Sequence, residues 1–110
     1  MLTKEELPLC PVATTLWLIG NKWKVLILQR LLERPWRFNE LQKNIPGISQ
    51  RVLTDNLREM ERDGILNRTV YPEVPVRVEY SLSEIGNSMK PIIASLENWG
   101  LQYQKLMKNK

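Results

Sequence analysis

The stretch from Ser49 to Asp63 constrains this chain more than any other, because wound as a helix it divides into two opposed faces. At about 100° per residue, Leu53, Leu57 and Met60 fall on one narrow stripe, and Arg51, Arg58 and Arg62 cluster within roughly 40° on the far side. Such a segment docks one face on a core and presents guanidinium groups outward. Ser49 can cap its start, although Val52 stands where a reciprocal Glu would complete a capping box. Gly64 follows Asp63, where a left-handed residue commonly closes a helix.

The residues before this helix supply what its apolar stripe needs. Pro11 suits the first position of a helix, and Val12 to Gly20 continues it with Val12, Leu16 and Ile19 at helical spacing. Asn21 offers an N-cap for a second helix, Trp23 to Arg34, which is apolar around most of its girth and reads as the central core helix, ended by Pro35. Asn39, with Gln42 three residues on, predicts the start of a short third helix running to about Asn44, and Pro46-Gly47-Ile48 makes a tight turn into the arginine-bearing helix.

From Ile65 the period changes from helical to alternating. Leu66 and Val70 take one side and Asn67, Thr69 and Tyr71 the other; then Val76, Val78, Tyr80 and Leu82 oppose Arg77, Glu79 and Ser81. The intervening Pro72-Glu73-Val74-Pro75 stiffens the tip of a hairpin. Ser83 can cap the last helical region, where Ile85, Met89, Ile92, Leu96, Trp99, Tyr103 and Leu106 recur at alternating intervals of four and three, with Pro91 splitting a short helix from a longer one. A seam of this kind buries itself against another helix; packing on its own domain stays open, though a helix this long would struggle to find enough partner surface in so small a core. Lys105, Lys108 and Lys110 complement the negative end of the last helix.

Two helices joined by a tight turn, followed by two strands and a stiff loop, give a mainly α fold with a small β-hairpin wing (α+β). This is the ground plan of a winged helix-turn-helix. At 110 residues there is room for one domain; the expected division is an N-terminal arm over 1–9, the domain over 10–107 and a basic tail over 108–110.

Charge narrows the function less than its total suggests. The net +4 and pI of about 9.4 favour an anionic partner. Yet residues 37–82 hold seven basic and seven acidic side chains, so the case for nucleic acid rests on which face the arginines occupy. Catalysis is not expected: the chain has no histidine, and Cys10 has no imidazole to pair with. Nor does a single Cys with scattered acids make a metal site, and no cofactor is implied. No apolar run approaches the roughly 18 residues of a membrane span, and Lys4-Glu5-Glu6 stands where a secretory peptide would be apolar, so a cytoplasmic protein is expected.

Cys10-Pro11-Val12, Gly20-Asn21-Lys22-Trp23, Arg37-Phe38-Asn39-Glu40-Leu41, Pro46-Gly47-Ile48-Ser49-Gln50, Leu53-Thr54, Leu57-Arg58-Glu59, Asp63-Gly64, Val78-Glu79-Tyr80-Ser81-Leu82 and Trp99-Gly100, in this order and spacing, closely resemble the HxlR-type winged-helix transcription regulators of bacteria. The chain departs at Asn21, where members often carry a second glycine, and at Arg34, where many have glycine before the proline. The resemblance implies a homodimeric repressor or activator of transcription whose N- and C-terminal helices form the interface. Val12, Leu16, Ile92, Leu96, Trp99, Tyr103 and Leu106 are its candidate residues.

On double-stranded DNA, the outward face of the arginine-bearing helix would lie in the major groove, which is about 12 Å wide and admits one helix. Gln50, Arg51 and Thr54, nearest its start, are assigned to base readout; Asp55, Arg58 and Arg62 follow, Arg58 fitting either bases or backbone. Ser49 and the amides beside it would hold a phosphate, and Arg68 and Arg77, flanking the stiff loop, would meet the flanking backbone or minor groove. The bland alternative is a solvated face with salt bridges to Asp55 and Glu59, or a module that binds an acidic protein or RNA.

Cys10, before a helix start that favours a thiolate, is the candidate switch for an oxidant or another thiol-reactive inducer; the alternative is a small buried hydrophobe in the dimer contact. Control by a noncovalent ligand near Trp17, Trp23 and Trp99 stays open beside it.

Overall fold

A computed structural model describes residues 10–109. Six helices and three strands follow in the order α1 (Pro11–Ile19), α2 (Lys22–Leu31), β1 (Trp36–Arg37), α3 (Phe38–Asn44), α4 (Gln50–Arg62), β2 (Leu66–Tyr71), β3 (Arg77–Leu82), α5 (Glu84–Asn87) and α6 (Lys90–Lys108). The strands form one antiparallel sheet in the order β1-β3-β2, with Leu66 opposite Leu82, Arg68 opposite Tyr80 and Trp36 also opposite Tyr80. This is the winged helix-turn-helix expected from the sequence, with α3 and α4 joined by the turn and β2–β3 as the wing.

Local chemistry explains the boundaries. Asn21 caps α2 by accepting from the Lys24 N–H at 2.9 Å, and Ser49 caps α4 by accepting from Val52 N–H at 3.1 Å. Gly47 (φ +80°) and Gly64 (φ +78°) occupy the left-handed region at the α3–α4 turn and at the end of α4. The cap of α3 differs from expectation. The helix begins at Phe38, and the exposed Glu40 carboxylate accepts from the Arg37 N–H at 2.8 Å, so Asn39 lies inside the first turn. The central helix also ends earlier than Arg34: after Leu31 the Glu33 N–H bonds back three residues to the Arg30 carbonyl, and the chain leaves the helix before Pro35.

The core lies where α2, α3 and α4 meet the sheet. Ile27, Leu28 and Leu31 of α2, Leu41 of α3, Leu53, Leu57 and Met60 of α4, Ile65 just before β2, and Leu66 and Tyr80 of the sheet are buried together. The wing's alternation is buried only near this core. Tyr80 is buried and Val78 and Leu82 half-buried, whereas Val70 and Val76 stand in solvent where the hairpin outruns the helices.

After β3 the chain is fastened before it leaves. The Ser83 hydroxyl lies 2.6 Å from the Gly64 carbonyl and 2.9 Å from that of Ile65, and it accepts from Gly86 N–H. Gly86 packs so close that an added Cβ would sit 2.2 Å from the Ile65 carbonyl oxygen. Beyond this point α6 runs for 19 residues, about 28 Å at 1.5 Å per residue, with only Ile93 buried. A radius of gyration of 15.6 Å, against about 13 Å for a compact chain of this length, records how far it projects. No helix among the described residues is long and apolar enough to cross a membrane.

Candidate nucleic-acid interface

The stripe on α4 is buried as its spacing predicts: Leu53, Leu57 and Met60 are each at most 2% exposed, while Arg51, Arg58 and Arg62 face solvent. Two polar ties from α2 hold the helix in place. Lys24 Nζ, itself buried, lies 2.7 Å from Glu59 Oε2. The Asn21 side-chain N–H donates to Asn56 Oδ1 at 3.1 Å, and Asn56 in turn donates to the Val52 carbonyl at 2.7 Å. Neither tie was expected from sequence, where Glu59 was offered to the arginines of its own helix.

The outward face of α4 and strand β2 together line a groove of about 460 Å³, bounded by Phe38, Gln50, Thr54, Leu57, Arg58, Glu61, Arg68 and Tyr80. Four of the expected DNA-binding residues, Gln50, Thr54, Arg58 and Arg68, are thus brought together. Arg68 reaches it because its strand pairs with β3 at Tyr80. Neither Arg58 nor Arg68 has an ion-pair partner among the described residues. Thr54 donates its hydroxyl hydrogen back to the Gln50 carbonyl at 2.8 Å, which leaves its methyl and both hydroxyl lone pairs for an outside group.

The remaining candidates fall outside the groove. Arg51 and Asp55 form a loose pair at 4.0 Å, with Arg51 almost fully solvated, and Arg62 Nε turns to the buried carboxylate of Asp63 at 3.3 Å. The Ser49 hydroxyl accepts the cap bond from the Val52 N–H, which leaves its own O–H, beside the neighbouring amides, to donate to a phosphate. Arg77 departs furthest from expectation. Its guanidinium bridges Glu73 and Glu79, each at 3.2 Å, and lies 3.9 Å from the centre of the Tyr71 ring. Its charge is balanced inside the wing, and it braces the stiff loop instead of standing free for a phosphate. Phe38, Glu61 and Tyr80 line the groove although the sequence did not mark them as DNA-binding candidates; only their contact across elements reveals them.

Away from this face, α1 and α6 expose an apolar stripe. Val12, Leu16, Ile92, Leu96, Trp99, Tyr103 and Leu106 are all exposed, Trp99 by 66%, and the Trp99 and Tyr103 rings stack 5.4 Å apart. A cleft of about 670 Å³ between α1, α2 and α6 is walled by Leu16, Ile19, Val25, Leu26, Ile92 and Leu96, with Gly20, Asn21 and Lys22 at one side. None of Trp17, Trp23 and Trp99 lines it, but Trp99 borders an adjoining hollow with Pro91, Ile92, Ser95 and Leu96. Cys10 is exposed at the N-cap of α1, with its carbonyl accepting from the Thr14 N–H. Among the described residues no group of His, Cys, Asp and Glu is placed to hold a metal.

The family profile described as HxlR-like helix-turn-helix matches residues 18–108. The uncharacterized HTH-type transcriptional regulator YdeP of Bacillus subtilis (strain 168) is 50% identical over 95 residues, spanning 86% of this chain and 74% of that protein. Among solved structures, the redox regulator HypR in its reduced form superposes with a TM-score of 0.85 at 42% identity, covering 92% of this chain and 100% of that one. HypR in its oxidized form gives 0.81 at 46% identity, over 84% and 96% respectively.

Proposed function

We propose, from the premise that this chain belongs to the HxlR-like helix-turn-helix family, that it is a sequence-specific DNA-binding regulator of transcription, acting as a homodimeric repressor. The observation that carries this reading is the groove shared by α4 and β2, in which Gln50, Thr54, Arg58 and Arg68 face one side of the molecule. Gln50, Arg51 and Thr54 read base edges in the major groove, Gln offering the bidentate geometry suited to adenine and Arg that suited to guanine. Arg58, Arg62 and Arg68 meet phosphates, and the amides that follow Ser49 hold another at the positive end of α4. Asp55 tempers Arg51 and so helps to set which base it accepts.

The homodimer rests on the outward stripe of α1 and α6. An apolar surface of this length, rimmed by the polar face of the same helix, is unusual on a protein that remains alone. Two copies paired there would present two α4 helices about one turn of DNA apart, or a multiple of it. Selection from a random duplex library tests the reading: enriched sites should contain inverted repeats at that spacing. Equal recovery of all duplexes would favour an electrostatic module for protein or RNA instead.

A redox response is the second reading, supported by Cys10 standing exposed at the N-cap of α1 and by likeness to HypR in both of its redox forms. Oxidation or alkylation of Cys10 would then alter how the two copies pair. Wild-type protein treated with diamide should lose operator affinity, and Cys10→Ser should keep it; loss in both proteins would remove the switch.

A further inference from the structure

The departure at Asn21 has a partner. Its Oδ1 accepts from the Lys24 N–H and its side-chain N–H donates to Asn56 Oδ1, whose own side-chain N–H donates to the Val52 carbonyl. Both ends of this relay are backbone groups of fixed polarity, an N–H at α2 and a C=O at α4. Each amide is therefore oriented by a group that cannot reverse, and the two side chains meet donor to acceptor. Asn56 is buried, so its bonds form in a surrounding that strengthens them and penalises an unpaired atom. Val52 lies one turn into α4, between the base-reading Arg51 and the core residue Leu53.

We infer that the Asn21–Asn56 amide pair is a positioning element for DNA readout, fixing the rotation and depth of the first turns of α4 and hence where Gln50, Arg51 and Thr54 meet the bases. The Lys24–Glu59 ion pair holds the same two helices one turn further along α4. Two ties on a helix define its angle where one would leave it to pivot. The pair also lies at the edge of the apolar cleft, which Gly20, Asn21 and Lys22 border. Base contacts are far more sensitive to this placement than phosphate contacts, which long arginines can follow.

The inference rests on the reading of α4 as the DNA-reading helix, and two variants test it separately. Asn21→Ser keeps an oxygen able to cap α2 but is too short to reach Asn56. Asn21→Asp keeps the size and the cap but presents an acceptor to an acceptor. Both should remain folded at the assay temperature, with a melting temperature lowered by the unpaired Asn56 oxygen. Affinity for a duplex selected by the wild-type protein should fall about five- to tenfold, while affinity for a random duplex and its salt slope stay unchanged. A ratio of selected to random binding kept within twofold in both variants overturns the inference and leaves the regulator standing. So does an equal loss on both duplexes, which would mark a role in stability alone. If the wild-type protein selects no duplex, the regulator reading fails and this inference falls with it.

Discussion

Helices α4 and α6 carry apolar stripes of similar regularity, yet they end in opposite surroundings. Leu53, Leu57 and Met60 are sealed beneath α2 and the sheet, whereas Ile92, Leu96, Trp99, Tyr103 and Leu106 stand open. Periodicity announces that a face wants cover, but not from what. The difference lies in what the chain can reach. The stripe on α4 spans two turns and is met by α2 through the core, while that on α6 runs out past the domain, and the one buried residue of its helix, Ile93, does not belong to it. In the proposed dimer, the first stripe builds the protomer and the second builds the pair.

The sharpest way to break this contrast is to charge both stripes. With Leu96→Glu and Trp99→Glu combined, the protomer should stay folded and run as a monomer in sedimentation, and operator affinity should drop by about 10²- to 10⁴-fold as the second half-site contact becomes independent. A dimer that survives would place the interface elsewhere. Leu57→Ala tests the other stripe: a loss of about 2–5 kcal/mol in urea unfolding is expected, with self-association per folded molecule unchanged. Were the two substitutions to exchange their effects, the division between protomer and pair would be wrong.

Smaller effects refine the DNA face. Arg68→Ala should lower the slope of log affinity against log salt by about one and weaken all sequences alike, whereas Arg77→Ala should leave that slope in place and loosen the wing, seen as faster hydrogen exchange in β2 and β3. Equal salt slopes for the two variants would contradict the ion pairing of Arg77. The smallest effect concerns acid. The Arg37 N–H, aided by the Arg34 guanidinium, holds the Glu40 carboxyl below its ordinary value. The stability this contributes is present above the ordinary carboxylate range and is lost as pH falls through the lowered value. Glu40→Gln should therefore flatten the acid limb of the stability curve slightly, and an unchanged limb would assign no weight to this cap.

The sequence made α4 legible because its stripe, its serine cap and its closing glycine agree, and agreement across levels is rare by chance. It hid β1, since Trp36-Arg37 is two residues long and offers no alternation; only the edge of β3 turns it into a strand. The cap of α3 was misread for a related reason. A backbone N–H needs no particular residue to donate it, so Arg37 left no mark beyond Glu40 three places on. Arg77 reads as an available cation because it flanks the exposed loop, although Glu79, two residues along the same strand, shares its face and pairs with it. The ties from Asn21 and Lys24 to α4 join residues about 35 apart, and no local pattern announces them.

At Gly86 the backbone of the domain and the short helix α5, which leads into the last helix, touch with no room for a methyl group. The long arm on which two copies would meet is thus aimed by an atom that is missing. Any side chain at this position would act as a wedge at the base of a lever, and a tilt of a few degrees there would sweep the far end by ångströms. The distance between two DNA-reading heads would in this way be written at a point that touches neither the nucleic acid nor the other subunit.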